Sequence, residues 1–395
     1  MEPLLLEPAR LLDPEAGAEG DGALLVAGGR IAARIPAGAA PPSGVRRVPL
    51  AGLSLAPGFL DLHYHGALIF TPPAEAAAAL RSAGAALLAT GVTGFLPTTV
   101  TWPAAELRAQ VSAWASAAAG QGEPEDCAAV LGLHLEGPWI RAEAAGAQPK
   151  TGIRPYRDAD AELLDRAEGL ARLVTLAPEA EGASALLGEL ARRGVVASLG
   201  HSLADAAQCE RAAAEGARHV THLFNAMGAF HHRAPGLIGA ALADDRLSCD
   251  LICDGVHVHP AAVRLAARAK AARLVLITDN VAMPTAPQQS AAPSSFGAGA
   301  VRDDGVALRL ADGTLAGSHL TLDRALANAQ AFGALSRLEA VRALTLAPAR
   351  VLGLERERGT LRPGARADFA LLGADGRIAQ TWLAGRCVFH EKEAT

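Results

Sequence analysis

Five short segments of this 395-residue chain end in side chains able to hold a metal ion or move a proton. They are Asp61-Leu62-His63-Tyr64-His65, His134-Leu135-Glu136, Gly200-His201-Ser202, Thr221-His222 and Thr278-Asp279-Asn280. Side chains alternate along an extended strand, so His63 and His65 share one face, as do His134 and Glu136. Imidazole and carboxylate groups are ligand types for zinc, iron, manganese and cobalt alike. Each group alone has an ordinary explanation. A His-x-His pair is commonly incidental, Glu136 reads as a loop carboxylate, His201 as a core or capping residue, and Asp279 as a helix N-cap. Their joint placement at the ends of separate apolar runs argues for one site of four histidines and two carboxylates. Ser202 beside His201 does not read as a nucleophile, because its surroundings lack the Gly-x-Ser-x-Gly elbow.

The elements that must position these groups are eight β-type runs, at residues 58–65, 92–99, 130–136, 173–178, 195–201, 219–225, 247–254 and 274–279. Ala- and Leu-rich stretches with amphipathic spacing, such as 161–171 and 204–214, separate them. Alternating β and α elements imply a parallel sheet. Eight units imply an α/β fold closed as a (β/α)8 TIM-like barrel, whose functional groups sit at the C-terminal strand ends. The six residues fall there. An open doubly wound sheet would want a Gly-rich dinucleotide loop after the first run, and DLHYHGA is not one. The chain ends read differently. Short β-type segments at 23–27, 30–33, 46–50, 368–372 and 378–383 are divided by Gly- and Pro-rich turns. Both termini are therefore expected to pair into a small β-sandwich domain, residues 1–56 and 364–395, with the barrel over 57–363.

Composition narrows the function. Half the residues are hydrophobic and 19% are charged, which excludes a disordered chain. Thirty-six basic against 41 acidic residues give a net charge of −5 with no basic patch, so nucleic acid is not an expected partner. No uncharged apolar stretch reaches the length of a membrane span, and the Ala-rich stretch 74–89 carries Glu75 and Arg81. The N-terminal apolar run lacks a basic lead and is broken by Glu7 and Pro8, unlike a signal peptide. Five scattered cysteines do not form a disulfide framework, so a reducing cytoplasm is the expected location.

Taken together, the motifs resemble those of the N-acetylglucosamine-6-phosphate deacetylases of the amidohydrolase superfamily. The strings that carry the resemblance include PGFLDLHYHG, GVTGFLPTT, GLHLEGPW, GHS, THLFNAM, HHRAPGLIGA, DGVHV, ITDNVA and DGTLAGSHLTL. The resemblance implies a metal site at Glu136, His201 and His222. Some members add a second ion through a His-x-His pair, present here as His63 and His65. One or two divalent ions are thus expected, zinc first, with iron, manganese or cobalt as alternatives. No lysine ends a strand, which leaves Glu136 as the bridging carboxylate. Asp279 is the expected proton acceptor and donor of the reaction.

The resemblance also implies substrate contacts from Asn225 and Ala226, from Arg233 and His257, from Leu315, Ala316 and Gly317, and from Ala147 and Gln148. It implies a homodimer, because phosphate contacts in the family can come from a neighbouring subunit. The expected reaction converts N-acetylglucosamine-6-phosphate to glucosamine-6-phosphate and acetate in amino-sugar catabolism. One departure stands out: the family's Gly-Ala-His segment reads Gly146-Ala147-Gln148 here. Glutamine donates a hydrogen bond but carries no charge. That difference keeps open a related amidohydrolase acting on another N-acyl amino sugar, or on another N-acyl or cyclic amide. A non-catalytic scaffold barrel would be expected to have lost its ligands, and all six polar positions are present.

Overall fold

The computed structural model describes residues 2–391 except 41, 123, 168, 283–294 and 297–298. Eight parallel strands form at the expected runs: β1 (Phe59–Gly66), β2 (Val92–Pro97), β3 (Leu133–Glu136), β4 (Ala171–Leu176), β5 (Val196–Leu199), β6 (His219–Val220), β7 (Ser248–Ile252) and β8 (Leu274–Ile277). Strands β3 to β8 pair in sequential order, and β1 pairs with β2. The two arcs meet at both seams. Thr99 N donates to His134 O at 3.0 Å, and Asp279 N donates to His63 O at 2.9 Å. The result is the expected (β/α)8 barrel.

Every residue of β1 and β2 is buried, as befits strands covered on both faces. Leu62, Leu135 and Leu199 belong to the main hydrophobic core. The helix Ala183–Arg193 shows how that core is covered: it buries Ala183, Leu186, Leu187 and Leu190, the i, i+3, i+4, i+7 stripe of one helical face. The inward residues of the strands are largely polar and bonded to one another. His134 Nε2 meets Thr175 Oγ1 at 2.7 Å, and Thr221 Oγ1 meets Thr175 Oγ1 at 2.7 Å and Ser198 Oγ at 2.5 Å. A buried polar network of this kind is stable only when its members find partners.

Some boundaries differ from expectation, for local reasons. The sixth run stops pairing after Val220 because His222, Phe224 and Ala226 have φ of 33°, 82° and 51°, outside strand geometry. The helix expected over 161–171 ends at Arg166, and Gly169 at φ 75° turns the chain into β4. The helix expected from residue 204 starts at Ala206, because Asp205 and Gln208 form a reciprocal capping box.

Both termini build one eight-stranded sheet. Ser54–Pro57 pairs antiparallel with Phe369–Leu372 and so joins the N-terminal strands to the C-terminal ones. Leu6, Leu24, Ile31, Leu55, Phe369 and Trp382 form its separate core. The strand Leu4–Asp13 was hidden by Glu7 and Pro8, which fall at a register shift between Leu6 and Ala9 that lets the strand continue past them. A small sheet that was not expected follows β8: Ser295–Phe296, Gly299–Asp303 and Leu308–Leu310 run antiparallel. Its Leu308 and Leu310 pack with Val100, Ala147, Val281 and Ala316 beside the barrel mouth. Among the described residues, no helix is long and apolar enough to cross a membrane.

Candidate metal centre and active site

Six side chains converge at the C-terminal ends of β1, β3, β5, β6 and β8 in two adjoining trios. His63, His65 and Asp279 form one, and Glu136, His201 and His222 form the other. Glu136 stands between them. Its Oε1 lies 2.9 Å from His201 Nε2 and 3.1 Å from His222 Nε2. Its Oε2 lies 3.3 Å from His63 Nε2 and 3.2 Å from His65 Nε2. Asp279 Oδ1 faces the same two nitrogens at 3.4 and 3.3 Å. The backbone is bent to achieve this. His201, His222 and Asp279 have φ of 48°, 33° and 47°, a left-handed region that costs non-glycine residues energy and clusters at functional sites.

The donor set fits metal ions. His63 Nε2 and His65 Nε2 face each other at 3.2 Å, and His201 Nε2 and His222 Nε2 at 3.0 Å. His65 Nδ1 lies 3.0 Å from Thr98 O and His201 Nδ1 lies 2.9 Å from Ala144 O. Each Nδ1–H donates to its carbonyl, which in the neutral ring aims the Nε2 lone pair inward. A cation between such nitrogens satisfies lone pairs that otherwise oppose each other. The electrostatics agree. Burial works against the charge on Glu136, but His63 and hydrogen bonds from His201 and His222 outweigh it and hold the carboxyl well below its usual range. Asp279 is held down likewise, with His63 and His65 overcoming burial. Burial also opposes charge on His65, yet contacts with Asp279 and Glu136 push it up to about 10. His134 is pushed well below the usual histidine range by burial and by nearby His63.

A further ring of groups holds the two trios in place. Asp250 accepts from the backbone N–H of His222, and its Oδ2 lies 3.1 Å from His219 Nε2. His219 is fully buried in this contact. Asp61 accepts from Thr278 Oγ1 at 2.6 Å and from His63 N at 3.2 Å, tying the two ends of the barrel seam. Burial raises Asp61 to about 6 against these bonds.

A model of the amidohydrolase family matches residues 54–388 of the chain. The chain belongs to the amidohydrolase family. It is 37% identical to an N-acetylglucosamine-6-phosphate deacetylase of Bacillus subtilis over 86% of each chain. It is 36% identical to an N-acetylgalactosamine-6-phosphate deacetylase of Escherichia coli O157:H7 over 84% of this chain and 87% of the relative. Among solved structures it resembles an aspartate-to-alanine mutant of the Mycobacterium smegmatis N-acetyl-D-glucosamine-6-phosphate deacetylase in complex with N-acetyl-D-glucosamine-6-phosphate. That likeness has a TM-score of 0.85 and 32% identity over 98% of this chain and 100% of the other.

Above the two trios of this amidohydrolase opens a cavity of about 410 Å³. Ala147, Gln148, Asn225, Ala226, His257, Leu315 and Gly317 all line it, as the sequence reading expected of substrate contacts. Ala316 does not; it is buried in the small core behind the wall. Nor does Arg233, whose exposed side chain lies beside His232, 2.8 Å from its Nε2. Both polar ends of Gln148 are engaged. Its amide nitrogen donates to Glu136 Oε2 at 2.6 Å, and its amide oxygen accepts from Thr101 N at 2.9 Å. His257 is braced by Asp254, whose Oδ2 lies 2.6 Å from its Nδ1. Arg309 was missed by sequence reading. It comes from the unexpected sheet, and Asp304 Oδ2 and Gly313 O hold its guanidinium at the cavity wall. The signal that could have found that sheet is the Asp304-Gly305 turn between the β-type runs 300–303 and 306–310.

Proposed function

We propose that the chain hydrolyses the acetamide of N-acetylglucosamine-6-phosphate, releasing glucosamine-6-phosphate and acetate, as a step of amino-sugar catabolism. The observation that carries this reading is the Glu136-bridged pair of ligand trios at the base of a cavity of matching chemistry, in a relative of enzymes named for that reaction. His63, His65, Glu136, His201 and His222 would hold one or two divalent ions, zinc first and iron, manganese or cobalt as alternatives. When bound, such an ion supplies Lewis acidity, which acidifies water and polarises a carbonyl. Asp279 faces the cavity as a carboxylate. It accepts a proton from the water that attacks the acetyl carbon and passes it to the nitrogen as the C–N bond breaks. Asn225, Ala226, His257, Leu315 and Gly317 line the cavity that would receive the sugar. Arg233, exposed and outside the cavity of its own chain, suits a phosphate in the cavity of a partner copy, and a homodimer follows from that role.

We further assign residues 1–56 and 364–395 to the terminal β-domain and 57–363 to the catalytic barrel. A cytoplasmic location agrees with five cysteines that are all free. A second reading, deacetylation of a different N-acyl amino sugar, is favoured by Gln148 in place of the family histidine. Both are tested by measuring free amine released by metal-reconstituted protein from N-acetylglucosamine-6-phosphate, N-acetylgalactosamine-6-phosphate and unphosphorylated N-acetylglucosamine. Turnover of the phosphorylated gluco sugar alone supports the first reading and a phosphate-binding role for Arg233. Turnover of the galacto epimer alone selects the second. No turnover of any, with metal bound, refutes both substrates while leaving the metal centre intact.

A further inference from the structure

The far end of the barrel carries a second cavity, of about 510 Å³. Arg218, Arg246, Arg273 and Arg350 line it, over short apolar side chains such as Val196 and Val351. Its place in the fold is set by the strands. Val196 and Ser248 are the first residues of β5 and β7, and Arg218 and Arg273 immediately precede β6 and β8. It therefore opens on the N-terminal face, opposite the metal ligands. No carboxylate lines it, although the whole chain carries a net charge of −5.

The four guanidinium groups are unequally compensated. Arg246 is paired with Asp244, at 2.6 Å. Arg218 Nη1 donates to Ala213 O and Ala217 O, both at 2.7 Å, which fixes its position without neutralising it. Arg350 feels Glu15 only as a nearby charge. Like-charged groups gathered around an apolar floor repel one another, and a multiply charged anion relieves that repulsion. Guanidinium forks match phosphate oxygens in shape and hydrogen bonding. A volume of this size admits a small organic molecule. We propose that this cavity binds a small organic molecule bearing two or more linked phosphate groups, with its carbon part on the apolar floor. The site is separate from the substrate pocket and does not depend on the reaction proposed for it.

The test is calorimetric titration of the full metal-loaded chain with ADP and with inorganic pyrophosphate, with adenosine as the uncharged control. Saturable binding of either anion is expected, with none for adenosine, unaffected by saturating glucosamine-6-phosphate. The double variant Arg273→Ala/Arg350→Ala should weaken it about tenfold or more, since each lost charged contact is a sizeable share of such an affinity. Its unfolding temperature and deacetylation rate should match the parent, and Arg273→Gln provides a milder variant with the same readout. Added salt should also weaken binding, because the arginines are exposed. The proposal is overturned if neither anion saturates the protein, if the double variant binds as the parent does, or if glucosamine-6-phosphate displaces the probe.

Discussion

Replacing Gln148 with methionine keeps a side chain of similar length and removes both hydrogen-bonding ends. Glu136 Oε2 then loses the donor at 2.6 Å, and the N–H of Thr101 loses its acceptor at 2.9 Å. Thr101 is fully buried and Gln148 is 3% exposed, so bulk water does not replace either bond directly. A hydrogen bond to an ionised acceptor contributes about 1.5–3 kcal/mol, and a buried donor left unpaired costs about 1–3 kcal/mol. Because Gln148 lines the cavity and water can enter from that side, the lower part of the combined range applies, on the order of 3 kcal/mol. Urea unfolding of parent and variant, both metal-loaded, should show a lower midpoint at unchanged slope. Turnover should fall in parallel, because Glu136 loses the contact that orients it between the two trios. A variant with the parent's midpoint and turnover would refute the role given to Gln148 and return it to a pure substrate contact.

Four further outcomes are expected. Asp279→Asn keeps the shape of the side chain and removes its basicity, so kcat should drop about 10²- to 10⁴-fold while metal content stays at the parent value. Equal loss of metal and turnover would instead make Asp279 chiefly a ligand. In the metal-free chain, burial opposes charge on His65 and His222, but contacts with Asp279 and Glu136 raise the first to about 10, and contacts with Glu136 raise the second to about 9. Both then hold an extra proton near neutrality, and weakly buffered metal-free protein should release protons when metal is added; a proton-neutral titration would contradict this. The same shifts give the metal-free fold stability that is full below about pH 6.5 and lost as pH rises through about 9 to 10, visible as a falling unfolding temperature. In the terminal domain, Asp368 binds buried Arg358, accepts from Arg366 Nε at 2.9 Å and accepts from Ala384 N at 2.7 Å. Asp368→Ala removes the carboxylate that pairs with Arg358 and Arg366 and should cost about 1.5–3 kcal/mol in denaturant unfolding, the worth of a charged hydrogen bond; an unchanged midpoint would contradict this.

The barrel and its ligands were legible in the residues because two simple periodicities carry them. Apolar runs of strand length alternate with amphipathic helices, and the right-handed βα order places every strand's C-terminal end on one face. His63, His65, Glu136, His201, His222 and Asp279 needed only that rule to be brought together. The sequence could not show how Glu136 divides its two oxygens between the trios, because that depends on φ reversals at His201, His222 and Asp279 that no local pattern announces. It could not show that Gln148 binds Glu136 and Thr101, a contact made between segments 12 and 47 residues apart in the chain. Nor did it reveal that Arg309 reaches the cavity, because the Asp304-Gly305 turn can announce a hairpin but not where the hairpin packs, or the polar network inside the barrel. Arg233 marks the opposite limit: its motif was plain in the sequence, yet the fold of a single chain leaves it outside the pocket. Residue type and spacing decide which atoms can do chemistry; long-range packing decides which of them meet, because hydrogen bonds and burial act between neighbours in space.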